Sequence, residues 1–487
     1  MTERSERLIA FACLLALAAA VIGLFALLAI RTLGPGFPLD DAWIHQTYAR
    51  NLALRGEWAF LPGVPSAGST SPLWTALLAL GYLLRIDPYA WALSWGMLLL
   101  AATGWIAGLW LKARSPRLGR LAWVAGALVV LEWHMVWAGA SGMETIAQAC
   151  VVVLVLCSLE RRWPPILIGL LVGVGVWIRP DALLLLLPVG WVLASGGLRE
   201  IPAAARKEMA VAIGLAILLL PYLGFNLMLG GQAWPSTFYA KQAEYAVELS
   251  RPLAIRLLEQ WGVGLVGGGA ILVIGFAGSI WADVAGRRWA RLAPAVWWFA
   301  FLAAYAVRLP VTYQHGRYAM PAIPVLILLG AETMLTVAQR ASAKWPRLLS
   351  RAWIAAALTA AVAFLSPGAR AYGQDVAIIQ TEMVAAAKWI ASHTDSNDLI
   401  AVHDIGAVGY FSERTLIDLA GLVSPEVIPF LRDETRLAEY LAAREADYLM
   451  TFPGWYPKLV EGRTPAFQSH APYSPAAGGE NMAVYPW

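Results

Sequence analysis

Two adjacent carboxylates, Asp40 and Asp41, leave the first long apolar run and open the segment DDAWIHQTYARNLALRGEWAF at 40–60. A carboxylate held beside a reacting hydroxyl can take its proton, either directly or as one of a pair holding a divalent cation such as Mg or Mn. Asp40 is the candidate general base, with Asp41 a catalytic partner or, on the plainer reading, a helix N-cap. Glu144, in SGMET at 141–145, is a second acid placed where the chain re-enters an apolar run. It is a catalytic candidate, or a carboxylate satisfying a helix N-terminus. Asp40, Asp41 and Glu144 are the ligands any metal ion would use, and the sequence leaves metal dependence open. Lys241 ends PSTFYAK at 235–241, and His315 and Arg317 belong to HGRY at 315–318. A cation beside aromatics at a membrane interface suits a lipid phosphate, and it also suits an interfacial anchor. Arg179 and Asp181, in RPD, staple a tight turn between two apolar runs or offer Arg179 to the same phosphate. Tyr48 is the candidate aromatic contact to substrate.

The elements that must position these residues are membrane helices. Of 487 residues, 59% are hydrophobic and 14% charged, too apolar for a soluble surface. The sequence predicts eleven spans near 8–30, 90–111, 121–138, 144–159, 165–178, 182–196, 209–229, 261–282, 294–309, 317–338 and 352–367. The first is read as a retained span, since no small-residue cleavage site follows it. Five cationic loops then share one side with the N-terminus: Lys112 to Arg120, Arg161–Arg162, Arg199 to Lys207, Arg287 to Arg291, and Arg340 to Arg351. The positive-inside rule makes that side cytoplasmic. Pro72–Ile86 is too short to span and would invert the loops after it, so it is expected as a re-entrant or juxtamembrane helix. Every polar cluster above then faces outward, away from nucleotide-activated donors.

Within 40–60, Ile44, Tyr48 and Leu52 recur on one helical face, which predicts a helix lying on the bilayer surface and stopped by Gly56. Residues 1–367 form the predicted membrane domain. Residues 368–487 alternate helical and β-like runs, with strands expected at Leu399–His403, Thr415–Leu419, Tyr448–Phe452 and Met482–Tyr485 and a helix near Glu434–Arg444. That pattern predicts a small outer α/β domain. HDIGAVGYF at 403–411 lacks the spacing of a dinucleotide loop. Cys13, Cys150 and Cys157 all lie in apolar runs and give no disulfide framework. Walker, GxSxG and metalloprotease motifs are missing, and there is no basic stripe for nucleic acid.

The first loop, with Asp40-Asp41, YARNL, GEWAF and SPLW, resembles that of GT-C membrane glycosyltransferases. It is similar to protein O-mannosyltransferases and aminoarabinose transferases, and closer to the mycobacterial terminal arabinofuranosyltransferase group and its bacterial relatives. SGMET, RPD, PSTFYAK, HGRY and HDIGAVGYF leading into IDLAGL match the same group. The resemblance implies an enzyme of a bacterial inner membrane, with its active site and C-terminal domain on the extracytoplasmic side. It would move a pentose such as arabinofuranose, or a hexose such as mannose, from a polyprenyl phosphate to a glycan, lipid or protein acceptor. Asp40 would take the catalytic carboxylate, Asp41 would stand beside it, and Glu144 would be the acid opening the second outer loop. Asp41 stands where many relatives have Glu, and the C-terminal domain is short. A lipid-linked sugar flippase is disfavoured because the carboxylates crowd one membrane face and no paired broken helices appear. A non-catalytic envelope-assembly protein is the other alternative.

Overall fold

A computed structural model describes residues 2–195 and 201–487, so Arg199 of the third cationic loop lies outside the described residues. Among the described residues six helices are long and apolar enough to cross a membrane: Glu3–Leu33, Pro88–Arg114, Ala204–Gly230, Trp289–Arg308, Tyr313–Arg340, which includes a short break, and Lys344–His393. Pro116–Leu131 and Trp133–Ala140, bent by 58° at Glu132, count as a seventh if read as one span. Other expected spans are shorter apolar helices, such as Thr145–Glu160, Pro165–Ile178 and Gly269–Ala285, so length and composition do not establish the count of eleven. Pro72–Leu83 is a helix of 12 residues, too short at about 1.5 Å per residue to cross ~30 Å.

Between apolar helices no hydrophobic force favours protein over lipid, so close backbone packing carries the association. A Cβ on Gly96 would meet the Gly139 carbonyl oxygen at 1.8 Å, and one on Gly275 would meet that of Gly330 at 2.4 Å. Only glycine permits those approaches.

At the end of the bundle bearing the cationic loops, Arg114 bonds Glu332 at 2.7 Å and Asp283 at 2.5 Å, tying three helices together. Arg291 also pairs with both acids. Arg114→Ala leaves two buried carboxylates short of a partner. It should destabilise the bundle by on the order of 3 kcal/mol, read as a lower thermal midpoint in detergent.

The helix Lys344–Ile379, 36 residues long, runs without interruption through the expected domain boundary at 367/368. A π-helical turn, Gln380–Val384, and a last helix, Ala385–His393, follow it. Glu382, fully buried in that turn, accepts from the Met482 N–H at 2.7 Å and pins the end of the chain to the helix. The first loop carries a two-strand ribbon, β1 (Ala59–Leu61) with β2 (Val64–Pro65). The C-terminal region, expected on the outer side and labelled the outer domain for that expectation alone, carries a five-stranded sheet of β3 (Leu399–Val402), β4 (Thr415–Asp418), β5 (Tyr448–Thr451), β6 (Phe467–Gln468) and β7 (Ala483–Pro486). Its order is β4-β3-β5-β7-β6, with β3 parallel to β4 and β5, and β7 antiparallel to β5 and β6. The four expected strands are all there. β6, at two residues, is too short to leave an alternation in the sequence.

The helix Asp40–Arg55 is not held by one apolar face alone. It is buried nearly all round, with Trp43, Ile44, His45, Gln46, Thr47 and Tyr48 all inside. Helix Pro72–Leu83 and helix Ile405–Phe411 of the outer domain both pack against it. A polar face buried by protein looks, in sequence, like one left to water.

Candidate functional site

Leu39 occupies the N-cap position, and both aspartates lie in the first turn after it. Successive residues of a helix point about 100° apart, so the pair faces two different places. Asp40 faces the outer domain. Its carboxylate accepts from the N–H of Gly406 at 2.6 Å and of Ala407 at 2.8 Å, where helix Ile405–Phe411 begins. A Cβ on Gly406 would strike the Asp40 carbonyl oxygen at 2.0 Å, so the glycine of HDIGAVGYF permits this docking. Burial, then the nearby carboxylate of Asp404, push Asp40 up to about 8 despite the two N–H bonds. Gly406→Ala should therefore loosen the outer domain from the bundle, seen as faster proteolysis between residues 394 and 400.

Asp41 faces a cavity of about 410 Å³, a size suited to a small-molecule site. Its Oδ2 lies 2.6 Å from Nη2 of Arg317. Burial raises this carboxyl, but Arg317 and then Lys241 outweigh it and hold Asp41 below the usual carboxylate range. Nη2 of Arg317 also donates to the Tyr318 hydroxyl at 3.0 Å. The other two guanidinium nitrogens, Nε and Nη1, are buried and have no hydrogen-bond partner among the described residues. Buried N–H donors left unpaired are costly, so they mark a place where a ligand oxygen would be held strongly. Lys241 reaches the same cavity from helix Ser236–Glu244, steadied by Glu244 at 3.0 Å.

A second polar network lines the same cavity. Glu144 bonds Arg179 at 3.2 Å and approaches His45 Nε2 at 3.3 Å. His45 is held in turn by Thr75 at 2.9 Å. Arg179 also meets Asp181 at 3.1 Å and donates to the Tyr305 hydroxyl at 2.8 Å. The staple expected of RPD is present, and it extends to Glu144. Much of the remaining lining is apolar, with Leu183, Leu184, Ala304, Leu309 and Phe238, while Arg308 and Gln242 also border the cavity.

Five of the expected residues therefore meet in one cavity: Asp41, Glu144, Arg179, Lys241 and Arg317. Three do not line it. Asp40 is turned to the outer domain. Tyr48 is fully buried, its hydroxyl 2.6 Å from Ser66 Oγ and accepting from Gly68 N–H at 3.0 Å, so it shapes the loop. His315 bonds Asp375 at 2.8 Å and stands edge-on to Trp133 and Trp137. His45, Tyr305 and Leu422 line the cavity and were not expected there. His45 had a signal in the sequence, since it lies four residues after Asp41 on the same helical face. Leu422 arrives through a turn closed by Asp418, which accepts from the N–H groups of Ala420 and Val423 at 2.9 and 2.6 Å.

The described residues contain no group of three or more His, Cys, Asp or Glu side chains placed to hold a metal ion. Asp40 is spent on two N–H groups, Asp41 on Arg317, and Glu144 on Arg179 and His45. The Mg or Mn site that the sequence left open does not fit that donor set.

Comparison with solved structures settles the architecture. ArnT from Cupriavidus metallidurans, solved bound to undecaprenyl phosphate, superposes with a TM-score of 0.61 at 14% identity, covering 96% of this chain and 97% of that one. The fold is GT-C. Archaeal oligosaccharyltransferase AglB from Archaeoglobus fulgidus, solved with an inhibitory peptide and a dolichol-phosphate, gives 0.58 at 13% identity, over 89% of this chain and 69% of that one. A domain family of unknown function, DUF8728, matches residues 352–485, from within the long helix to β7. No curated protein matches the sequence. The GT-C resemblance read from the first loop therefore holds at the level of fold, for a protein built on apolar membrane helices.

Proposed function

We propose that this protein is a glycosyltransferase that takes a sugar from a polyprenyl-phosphate donor and passes it to a hydroxyl of a cell-envelope acceptor. The observation that carries the reading is Arg317. It is a buried guanidinium with two donor nitrogens unpaired among the described residues, fixed beside the carboxylate of Asp41, in a cavity whose lining is largely apolar. The unpaired Nε and Nη1 groups of Arg317 supply charge-assisted donors to phosphate oxygens, and Lys241 adds a point charge. The apolar part of the lining takes the start of the lipid. The solved relatives support this reading, since one is bound to undecaprenyl phosphate and another to a dolichol-phosphate.

Asp41 takes the role of general base in place of Asp40. It faces the cavity, is held ionised, and lies where an acceptor hydroxyl would meet the sugar. The acceptor oxygen bonds to the anomeric carbon as its proton passes to Asp41. The bond from that carbon to the phosphate oxygen breaks, leaving charge on a phosphate held by Arg317 and Lys241. Glu144, oriented by Arg179 and His45, is a positioning group on the sugar side. None of these steps passes through a metal ion.

Incubating the purified protein with polyprenyl-phosphate arabinofuranose or mannose should release or transfer the sugar. Retention of both sugars on their carriers would overturn the assignment for these donors. The orientation is part of the proposal, in a bacterial inner membrane with the site outward. Cysteine placed at the exposed Ser396 should react with an impermeant reagent in intact cells, and cysteine at Arg120 only after permeabilisation. The opposite pattern would invert the topology.

A further inference from the structure

Within residues 368–487, Trp455 is the one exposed large hydrophobic side chain, at 49% of its surface. A lone surface tryptophan needs no explanation by itself. This one is built into a fixed platform. Its loop is held by Gly454 N–H donating to Glu480 at 2.6 Å and by its own N–H on the Phe452 carbonyl at 3.0 Å. Phe452 packs at 5.0 Å, and His403 stands edge-on at 4.8 Å and 74°.

His403 leads from that ring toward the cavity. Its Nδ1 meets the Tyr456 hydroxyl at 2.7 Å, and its Nε2 lies 3.4 Å from Glu244, the residue that steadies Lys241. Next in the chain, Asp404 keeps Oδ2 buried with no hydrogen-bond partner among the described residues. Its carboxylate is close enough to feel the charges of Lys241 and Asp41. An exposed aromatic face is thus followed by an unpaired acceptor oxygen and then by the cavity cation.

We infer that this strip is the acceptor subsite and that the acceptor is a glycan. A sugar ring lays its C–H face on Trp455, a hydroxyl further along donates to Asp404 Oδ2, and the terminal hydroxyl reaches Asp41. A ring of C–H bonds on one face with hydroxyls at its edge matches an aromatic plane flanked by an acceptor. A peptide has no such repeating pair of features. The inference rests on the transferase reading for its meaning, but its test does not need turnover.

Full-length protein in detergent, without donor, is titrated by calorimetry with linear hexasaccharides of α-mannose and of α-arabinofuranose. At least one should bind. Trp455→Ala and Trp455→Leu should each weaken it tenfold or more, and Trp455→Tyr should stay within threefold of wild type. Asp404→Asn should weaken binding about fivefold. Failure of both sugars to bind wild type overturns the inference. Wild-type binding by Trp455→Leu does so too, because leucine suffices for a packing or bilayer contact. Donor hydrolysis by the wild-type protein is measured separately, so a failed transferase reading remains distinguishable from a failed glycan site.

Discussion

Asp41→Asn should lower sugar transfer by about 10²–10⁴-fold while leaving the protein folded, because it keeps the volume and removes the basicity. Asp40→Asn should act by a different route. The asparagine amide can accept through only one atom, so one of the N–H groups of Gly406 and Ala407 loses its partner. Its activity loss should come with proteolysis of the loosened outer domain, whereas Asp41→Asn should resist protease like wild type. The measurement is transfer rate alongside limited proteolysis for both variants. Near wild-type transfer in Asp41→Asn, with a deep loss in a well-docked Asp40→Asn, would return the base role to Asp40.

The sequence reading put the base on Asp40, although nothing local separates it from Asp41. Both are acidic, adjacent and at a helix start, and what separates them is the outer domain docked on Asp40. That contact joins positions 366 residues apart and leaves no local pattern. The same cause hid the burial of helix Asp40–Arg55 and the place of Leu422. The strands β3, β4, β5 and β7 were legible because each is a run of four residues bounded by turns. Arg317 and Lys241 were legible as cations beside aromatics. His315, two residues from Arg317, looked the same, yet Gln314 and His315 take positive φ values of 53° and 59° and turn the ring to Asp375. A reversal of that kind is set by packing against Trp133 and Trp137, and spacing does not report it.

Arg317→Ala should be the most damaging substitution on the donor side, for two separable reasons. The first is the phosphate. Charge that grows on the leaving oxygens loses charge-assisted N–H donors, and loss of one such stabilising group costs about 10²–10³-fold in turnover. Arg317→Lys keeps the charge but not the fixed N–H directions of the guanidinium, so it should recover only part of that loss. The second reason is Asp41. Arg317 is the leading cation holding this carboxyl below its ordinary range, against burial that pushes it up. Its removal raises the pKa of Asp41, and a base is lost as pH falls through its pKa. The acid limb of the rate profile should therefore move to higher pH in Arg317→Ala and return toward wild type in Arg317→Lys. A cation that only anchored the helix at the interface would not move that limb. Steady-state rates across pH 4 to 8, with donor affinity measured on the same preparations, separate the two contributions. An unshifted acid limb would show that the protonation state of Asp41 does not limit transfer, even if the phosphate contact stands.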